Sequence, residues 1–558
     1  MPSLMGSLYI GVSGLQTSQN ALNTTAHNMS NADTTGYVRQ QVQLGTRFYN
    51  TIAVNPKAVS NQQLGLGVYY SKVKQVRDYF LDQTYRRESG RSAFYEVSSG
   101  ALEEVEYLLD ELNGESFQES LEDLWRSVQE LSKDPSSAVT QGLMVQRSAQ
   151  FLERAQAVYA GLVDYQNNLN NQIQGKVDKI NSYADQILAL NKAIVKIESG
   201  KMEEANDLRD ERNRILDELA TMVKMTYSED MMGNVSVQVE GVDLVKGEIA
   251  YKMGLDQDEQ TGFYTPFWIQ NASYTINEKG EKVYNIEGAE VFDLNAVISS
   301  DLDTDIGSLK SMLLARGDHK ADYRDLAEDK YDNSISQSVI MNIQAEFDQL
   351  IHNVCTAMNQ VIKEAAEAAT AKNPDSTYLR DSQGRPIQIF QKIGSDGYTR
   401  DPLTGDWTYN DENADDYAST YSVANLQMNS ELMQNPSMFG FITMDNSVDY
   451  ETIEKLKTKF TEESNTLNPN VKKKTSFVDY YGDLVAQVAN SGKVYKSIVF
   501  NQQATVNATF SAREQVIGVS SDEELTHMVK FQNAYNASSR YINAIDEMLA
   551  HIINTLAV

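Results

Sequence analysis

The first 38 residues combine a seven-residue apolar repeat with almost no charge, which is typical of a helix that packs against another helix. The repeat is formed by Leu8, Leu15, Leu22 and Met29. Side chains seven residues apart lie on one stripe of an α-helix and form the seam of a coiled coil. Asp33 is the only formally charged side chain up to residue 38. Turn-forming residues from Asn31 to Gly36 then predict the end of the helix.

Small residues lie beside this repeat, namely Gly11, Ser18 and Thr25. Gly11 and the nearby Gly14 each weaken a helix by about 1 kcal/mol relative to alanine. We therefore expect both glycines where a neighbouring helix approaches closely.

The C-terminal segment has the same kind of pattern. Ser521 precedes Glu524 by three residues, the spacing of a capping box, so a helix is predicted to begin near Ser521. One apolar row consists of Met528, Tyr535, Ile542, Leu549 and Leu556, and the second of Phe531, Ile545 and Ile552. No glycine or proline follows Ser521, which predicts a continuous helix roughly 50 Å long at 1.5 Å per residue.

The two terminal helices are predicted to be incomplete as an isolated pair. Their seams hold too few large apolar side chains to offset the backbone entropy that is lost when both segments become ordered. We therefore expect the ends to be mobile in the monomer and to become ordered when neighbouring chains cover the remaining apolar surface.

Between the ends, the sequence predicts a mainly α protein with inserted β structure. A chain of 558 residues exceeds a single core, and helical periodicity dominates from Val73 to about Met225, which favours an elongated multidomain protein with long antiparallel helices. Val235 to Val245 alternates as a hairpin does. The predicted parts are a coiled-coil assembly domain (1–45 plus 520–558), a helical core (46–228, 306–370 and 475–519), a β domain (229–305) and an outer inserted region of mixed or β structure (371–474).

Charge and composition exclude several classes of protein. A formal charge of -30 repels phosphate backbones and anionic lipid, so neither a nucleic acid nor a membrane is an expected partner. There is no apolar run long enough for a transmembrane helix, and the first residues lack the features of a signal peptide. The single cysteine, Cys355, lies among apolar residues at helical spacing, which predicts a core side chain.

No pattern of residues predicts catalysis, a cofactor or a metal site. The five histidines lack zinc-helix spacing, and no serine elbow or nucleotide-binding loop is present. The run from Asp301 to Gly307 resembles the start of a calcium loop, but Ile306 and Met312 occupy positions that require Gly and Glu. We interpret that run as an acidic helix entry, and whether the outer region binds a structural ion stays open.

Three segments resemble one known family. Residues 28–40, which include Asn31, Gly36, Tyr37, Arg39 and Gln40, are similar to the signature near the start of flagellar rod, hook and hook-associated proteins. The Arg39-Gln40 pair resembles the hook-associated protein 1 branch. The segment 204–212 is similar to that branch's helical motif, and residues 518–535 are similar to its C-terminal signature.

This resemblance implies a structural subunit at the junction between the flagellar hook and filament. Members are made in the cytoplasm, exported by the flagellar type III system without a cleaved signal peptide, and assembled outside the cell. The expected partners are further copies in an open helical ring, hook protein on one side, and a second junction protein and the filament on the other. An export chaperone is expected on the C-terminal helix, over Met528, Tyr535, Ile542 and Leu549.

Other functions remain as alternatives. The chain could be another axial subunit of the hook, rod or filament type. The Arg39-Gln40 pair disfavours this, as does the resemblance to the hook-associated protein 1 branch, which extends over most of the chain. An enzymatic insert is disfavoured because residues 371–470 contain no histidine or cysteine. An adhesive outer region stays open. A cytoplasmic coiled-coil scaffold would leave the sparsely charged N-terminal segment unexplained.

Overall fold

In the computed structural model, a helix of 61 residues, α4 (Ala138–Glu198), organises the body of the protein. It begins where the Ser137 side chain caps the backbone N–H of Val139, and its buried positions recur at helical spacing from Gln141 to Ile194. The structure describes residues 4–556 except 48, 56–59, 111–115, 201–202, 278, 281, 328–329, 395–396, 403–404, 406, 411 and 414–415.

The remaining helices agree with the predicted mainly α class. The other helices of the body are α2 (Tyr79–Asp110), α3 (Phe117–Lys133), α5 (Asn206–Met222), α6 (Ser308–Arg316), α7 (Val339–Lys372), α8 (Ser430–Gln434), α9 (Tyr450–Thr461) and α10 (Phe477–Ile517). The terminal helices are α1 (Leu4–Ser30) and α11 (Ser521–Leu556). Both terminal helices lie where the seams predicted them, and the helix at Ser521 begins as expected.

Helices α2 and α10 form a long antiparallel pair. At one end Arg513 pairs with Asp82 at 2.8 Å, and at the other the Tyr481 hydroxyl donates to the Leu109 carbonyl at 2.6 Å. The inner side of α2 packs on α5 and α6. This confirms the long antiparallel helices that the sequence predicted.

The strands form small antiparallel sheets. Strands β1 (Gln40–Thr46) and β4 (Val68–Gln75) pair, and between them lie β2 (Asn50–Asn55) and β3 (Ser60–Leu64), which also pair. The sheet of the predicted β domain is formed by β5 (Met225–Glu229), β6 (Val235–Val239), β7 (Val242–Lys246) and β8 (Ile249–Ala250), followed by β9 (Met253–Gln257), β10 (Tyr264–Trp268), β11 (Ser273–Ile276) and β12 (Lys282–Asn285). The hairpin predicted from Val235 to Val245 is therefore confirmed.

Two local predictions differ from the structure. Residues 46–75 were assigned to the helical core, but their described part contains the end of β1 and the strands β2, β3 and β4. The alternation in β1 and β4 uses glutamine and lysine and gives little apolar signal. A strand expected at Ile387 to Phe390 begins at Phe390, as β13 (Phe390–Lys392). The other short strands there are β14 (Tyr398–Arg400), β15 (Trp407–Tyr409) and β16 (Leu426–Met428).

The outer region (371–474) docks closely on the helices. The Phe460 ring of α9 stacks on Trp125 of α3 with ring centroids 5.4 Å apart. Asp348, which is fully buried in α7, accepts backbone N–H groups from Val423 at 2.6 Å and from Tyr323 at 3.0 Å. Burial raises the pKa of Asp348 to about 7. A buried carboxylate therefore holds two loops on one helix.

Cys355 and the acidic run are accounted for by packing. Cys355 is fully buried in α7, as predicted for a core side chain. Within the run, Asp303 and Asp305 pair with Arg91 at 2.8 and 3.0 Å, and Asp305 also accepts from the Tyr95 hydroxyl. These carboxylates attach the loop before α6 to α2.

Candidate functional site

Helices α1 and α11 pack antiparallel, with Gly11 facing Tyr541 and Ile542 and Gly14 facing Ser538. A Cβ atom at Gly11 would lie 2.7 Å from Cγ1 of Ile542, and one at Gly14 would lie 2.7 Å from Oγ of Ser538. Both distances are shorter than carbon atoms tolerate. Both glycines therefore lie where the two helices approach closely, as predicted from the destabilisation that glycine causes in a helix. We call α1 and α11 together the terminal helix pair.

The buried stripe of α1 is lined by small and polar side chains: Gly11, Ser13, Thr17, Ser18, Ala21, Thr25 and Asn28. The predicted row of Leu8, Leu15, Leu22 and Met29 lies beside this stripe and is half-buried. Small residues let the two backbones come close, and the bulkier row is then displaced to the edge of the contact. The rest of the stripe meets the β1–β4 hairpin, where Ser13 Oγ accepts from the Val68 N–H at 3.3 Å.

On α11 the predicted rows are covered to different degrees. Ile545 is buried, and a half-buried set comprises Met528, Phe531, Tyr535, Ile542 and Leu549. Ile552 is exposed, and the side chain of Leu556 lies outside the described part of the chain. One chain therefore covers its own seam incompletely.

Large apolar side chains remain exposed on both helices of the pair: Met5, Tyr9, Val12, Leu525, Val529, Tyr541, Met548, Ile552 and Ile553. Exposed apolar surface of this kind is typical of a contact with another molecule. The terminal helix pair is thus suited to bind further helices along its length.

A compact turn connects α1 to the body, and the predicted motif residues lie in it. The Asn28 side chain donates to the Gln40 carbonyl at 2.8 Å and accepts from the Gln40 N–H at 3.0 Å. The Tyr37 hydroxyl donates to Asn28 Oδ1 at 2.8 Å. The Asn31 side chain donates to the His27 carbonyl, and Gly36 adopts a φ of 81°, which favours glycine.

Arg39 ties this turn to the start of α11. Its side chain pairs with Glu523 at 2.8 Å and with the buried Glu524 at 2.9 Å, and its backbone N–H donates to the Ile517 carbonyl at 2.8 Å. Glu524 is thus engaged by Arg39, although its spacing from Ser521 had predicted a role in capping. We call residues 31–40 with the start of α11 the joint.

Asp210 of α5 fixes the joint to the body. It accepts from the Val38 N–H at 3.3 Å and from the Gln75 side chain at 2.7 Å. Burial raises the pKa of Asp210 to about 7, although both hydrogen bonds favour the ionised form. Asn28 and Asp210 lie in the segments 28–40 and 204–212 that resemble the family. Their hydrogen bonds were not predicted, since their partners are distant in the chain.

Replacing Arg39 with alanine is expected to loosen the joint. The variant leaves the buried Glu524 carboxylate without its cation, and losing a charged hydrogen bond of this kind costs about 1–3 kcal/mol. The half-buried Tyr37 should therefore be cleaved by chymotrypsin roughly five- to a hundredfold faster. The exposed Arg540 offers a control, and R540A should be cleaved at the wild-type rate. Equal rates for R39A and R540A would contradict this role for Arg39.

The described residues contain no group of three histidine, cysteine, aspartate or glutamate side chains arranged to hold a metal ion. Nor does any helix among the described residues combine the length and apolar character needed to cross a membrane.

Comparison with protein families assigns three segments. Residues 102–373 match the flagellar hook-associated protein FlgK helical domain. Residues 8–37 match the flagella basal body rod protein family, and residues 516–555 match the C-terminal region of the flagellar basal body rod FlgEFG proteins. The two rod-type matches fall on the terminal helices.

Similar proteins extend over almost the whole chain. Flagellar hook-associated protein 1 of Bacillus subtilis is 25% identical over 563 aligned positions, which cover 99% of both chains. The protein of the same name from Salmonella typhimurium is 23% identical, over 97% of this chain and 98% of its own.

A solved structure, that of the flagellar hook junction protein FlgK from Burkholderia pseudomallei, has a similar fold. The TM-score is 0.50 with 13% identity, and the match covers 79% of this chain and all of the other. At that identity, the likeness concerns the fold.

Proposed function

Because the chain belongs to the flagellar hook-associated protein 1 family, a family of structural proteins, we propose that it joins hook to filament through its terminal helix pair. The observation that carries this proposal is the pair itself: α1 and α11 are fixed to the body by the joint, yet they keep large apolar side chains exposed. Neighbouring copies would cover those side chains in an open helical ring, in which one surface of each copy contacts a different surface of the next.

The two ends of such a ring give the chain its proposed partners. Hook protein lies on one side, and the second junction protein and the filament lie on the other. These partners follow from family membership, and the incompletely covered helices support them. The chain would reach this place outside the cell through the flagellar type III system, without a cleaved signal peptide.

Before assembly, the apolar rows of α11 need a cover. We propose that an export chaperone covers these rows by binding over Met528, Tyr535, Ile542 and Leu549. In the folded chain these four side chains are half-buried, so a chaperone on them would compete with α1 for the same helix. Chaperone binding and pairing of the terminal helices would then exclude each other.

Localisation of the protein tests the proposed function. Gold-labelled antibody raised against the body should bind purified hook-basal bodies at the distal end of the hook, because a junction protein stays there when the filament is removed. Particles from a strain that lacks the gene serve as the control. Label at the rod, or along the whole hook, would assign the chain to another axial position.

A further inference from the structure

We propose that a cavity in the body of the protein binds a small dissolved oxyanion, such as phosphate. The cavity lies between the first turns of α2, the stretch that runs from α5 into β5, and the loop before α6. Its volume is about 310 Å³, which is large enough for a small ion or molecule. We call it the cationic cavity. It is separate from the terminal helix pair, and the proposal does not depend on the proposed function.

Close packing at Gly90 of α2 sets one end of the cationic cavity. A Cβ atom at Gly90 would lie 2.5 Å from the Ala220 carbonyl oxygen and 2.7 Å from Cγ2 of Ile306, so glycine permits this approach. Ala220 and Ile306 also line the cavity. Phe80 and Thr84, which lie one helical turn apart on α2, line it as well. The walls of the cavity are therefore formed by elements that pack together in the folded body.

The lining of the cavity carries more positive than negative charge. Its cationic side chains are Arg86, Arg87 and Lys224, and Asp303 is the single carboxylate among its described lining residues. That carboxylate already pairs with Arg91 at 2.8 Å. The excess is unusual in a chain with a formal charge of -30. A recess lined by one sign of charge raises the local concentration of ions of the opposite sign.

Two of these cations have unused capacity to bind an oxyanion. The buried Arg86 side chain donates from Nε to Asp217 at 2.6 Å and from Nη2 to Asn213 at 3.2 Å, but its Nη1 meets no acceptor among the described residues. Its guanidinium lies 4.5 Å from the centre of the Tyr227 ring, which helps to fix its position. The Lys224 ammonium forms no ion pair with any residue that the structure describes. An unsatisfied buried donor is costly, and an oxyanion supplies the missing acceptor.

Arg86 is also the last member of a largely buried row of charges. Arg77 and Arg513 both pair with Asp82, at 2.9 and 2.8 Å. Arg513 and Arg86 both pair with Asp217, at 2.8 and 2.6 Å. Three guanidinium groups therefore share two carboxylates in this row. Burying a charge without a counter-charge is costly, so an anion beside Arg86 would stabilise the row.

Other carboxylates close to the cavity are engaged elsewhere. Glu88 pairs with Arg87 at 3.0 Å. Asp210 acts at the opposite end of the row, and Glu240 attracts Lys224 without forming an ion pair with it. None of these three carboxylates lines the cavity. The acceptor that the cavity lacks is therefore expected to come from solution.

Charge and size decide which anion suits the cavity. A long polyanion such as a nucleic acid is repelled by the acidic surface of the chain, whereas a small ion meets mainly the cations of the lining. Arginine and lysine bind phosphate groups in proteins through charged hydrogen bonds. Inorganic phosphate is therefore the ligand with which to test the site.

Phosphate binding by the purified full-length protein tests this proposal. Equilibrium dialysis with radiolabelled inorganic phosphate should show saturable binding to a single class of site. K224A should weaken binding roughly tenfold, as the loss of one charged hydrogen bond implies. K192A removes the same charge from an exposed position of α4 outside the cavity and should bind within about twofold of wild type. Absence of phosphate binding by wild type, or equal affinities of K224A and K192A, would overturn the proposal.

Thermal unfolding supplies a second measurement, on a different side chain of the lining. A ligand that binds only the folded state raises the melting temperature, whereas exclusion of phosphate from protein surfaces stabilises every variant alike. Each protein is compared in phosphate and in chloride at equal ionic strength, so differences in basal stability cancel. The increase should be larger for wild type and K192A than for R87A. Equal increases in the three proteins would overturn the proposal and would leave the proposed function untouched.

Discussion

Deletion of residues 522–558 is expected to abolish incorporation at the hook tip, with filament subunits lost to the medium. The deletion removes nearly all of α11, the helix against which α1 packs, and it removes both carboxylates that hold Arg39. Without them, α1 keeps its contacts with the β1–β4 hairpin but loses its helical partner. Electron microscopy should show hooks without filaments, and immunoblots should show filament protein in the culture medium.

The body should survive this deletion. Helices α2 to α10 make a core among themselves, with Phe117, Phe151 and Phe347 packed ring against ring. The truncated protein should therefore keep a trypsin-resistant core of the same size as the wild-type protein. Q174A, at an exposed polar position of α4 and outside the terminal helix pair, serves as the control and should build normal filaments. Normal filaments on the truncated chain would remove the basis for the proposed function.

Replacement of Asp348 with alanine is expected to release the outer region locally. The change leaves the backbone N–H groups of Val423 and Tyr323 without their acceptor, and each unsatisfied buried donor costs about 1–3 kcal/mol. The amide of Val423 should then exchange at least roughly 30-fold faster, as a loss of about 2 kcal/mol requires. Q360A, on an exposed position of the same helix, should change exchange by less than about twofold.

The effect of D348A should depend on pH in one direction. Because burial raises the pKa of Asp348 to about 7, the folded state binds a proton that the unfolded state releases near pH 4. The contribution of Asp348 to stability is therefore complete below about pH 4 and falls as pH rises through 7. Wild type and D348A should differ more in stability at pH 5 than at pH 8, and the opposite order would contradict a desolvated Asp348 side chain with a raised pKa.

Local patterns predicted the elements whose periodicity is strong. The start of α11 at Ser521 was predicted from capping-box spacing, although Glu524 in the structure pairs with Arg39. The hairpin around Gly241 was predicted from alternation within a few residues. Strands β1 to β4 were missed because glutamine-rich alternation carries little hydrophobic signal. A charged cluster such as the run from Asp301 also gave no hint of Arg91, which lies more than two hundred residues earlier.

The functional site shows the same limit more clearly. The sequence predicted that a neighbouring helix approaches closely at Gly11 and Gly14, because glycine destabilises a helix relative to alanine. It did not predict that Asp210 would accept the Val38 N–H, since 172 residues separate them and no local rule links the two. The family resemblance pointed to the segments 28–40 and 204–212, and the structure shows the contact between them.

The antiparallel pairing of α1 with α11 also bears on when the protein can form its terminal helix pair. Helix α1 packs against α11, and Arg39 pairs with Glu524, which lies 485 residues later in the chain. A chain whose synthesis stops before α11 can fold its body, but its α1 lacks the helical partner. In the proposed function, such a fragment would lack the terminal helix pair through which it would enter the growing structure.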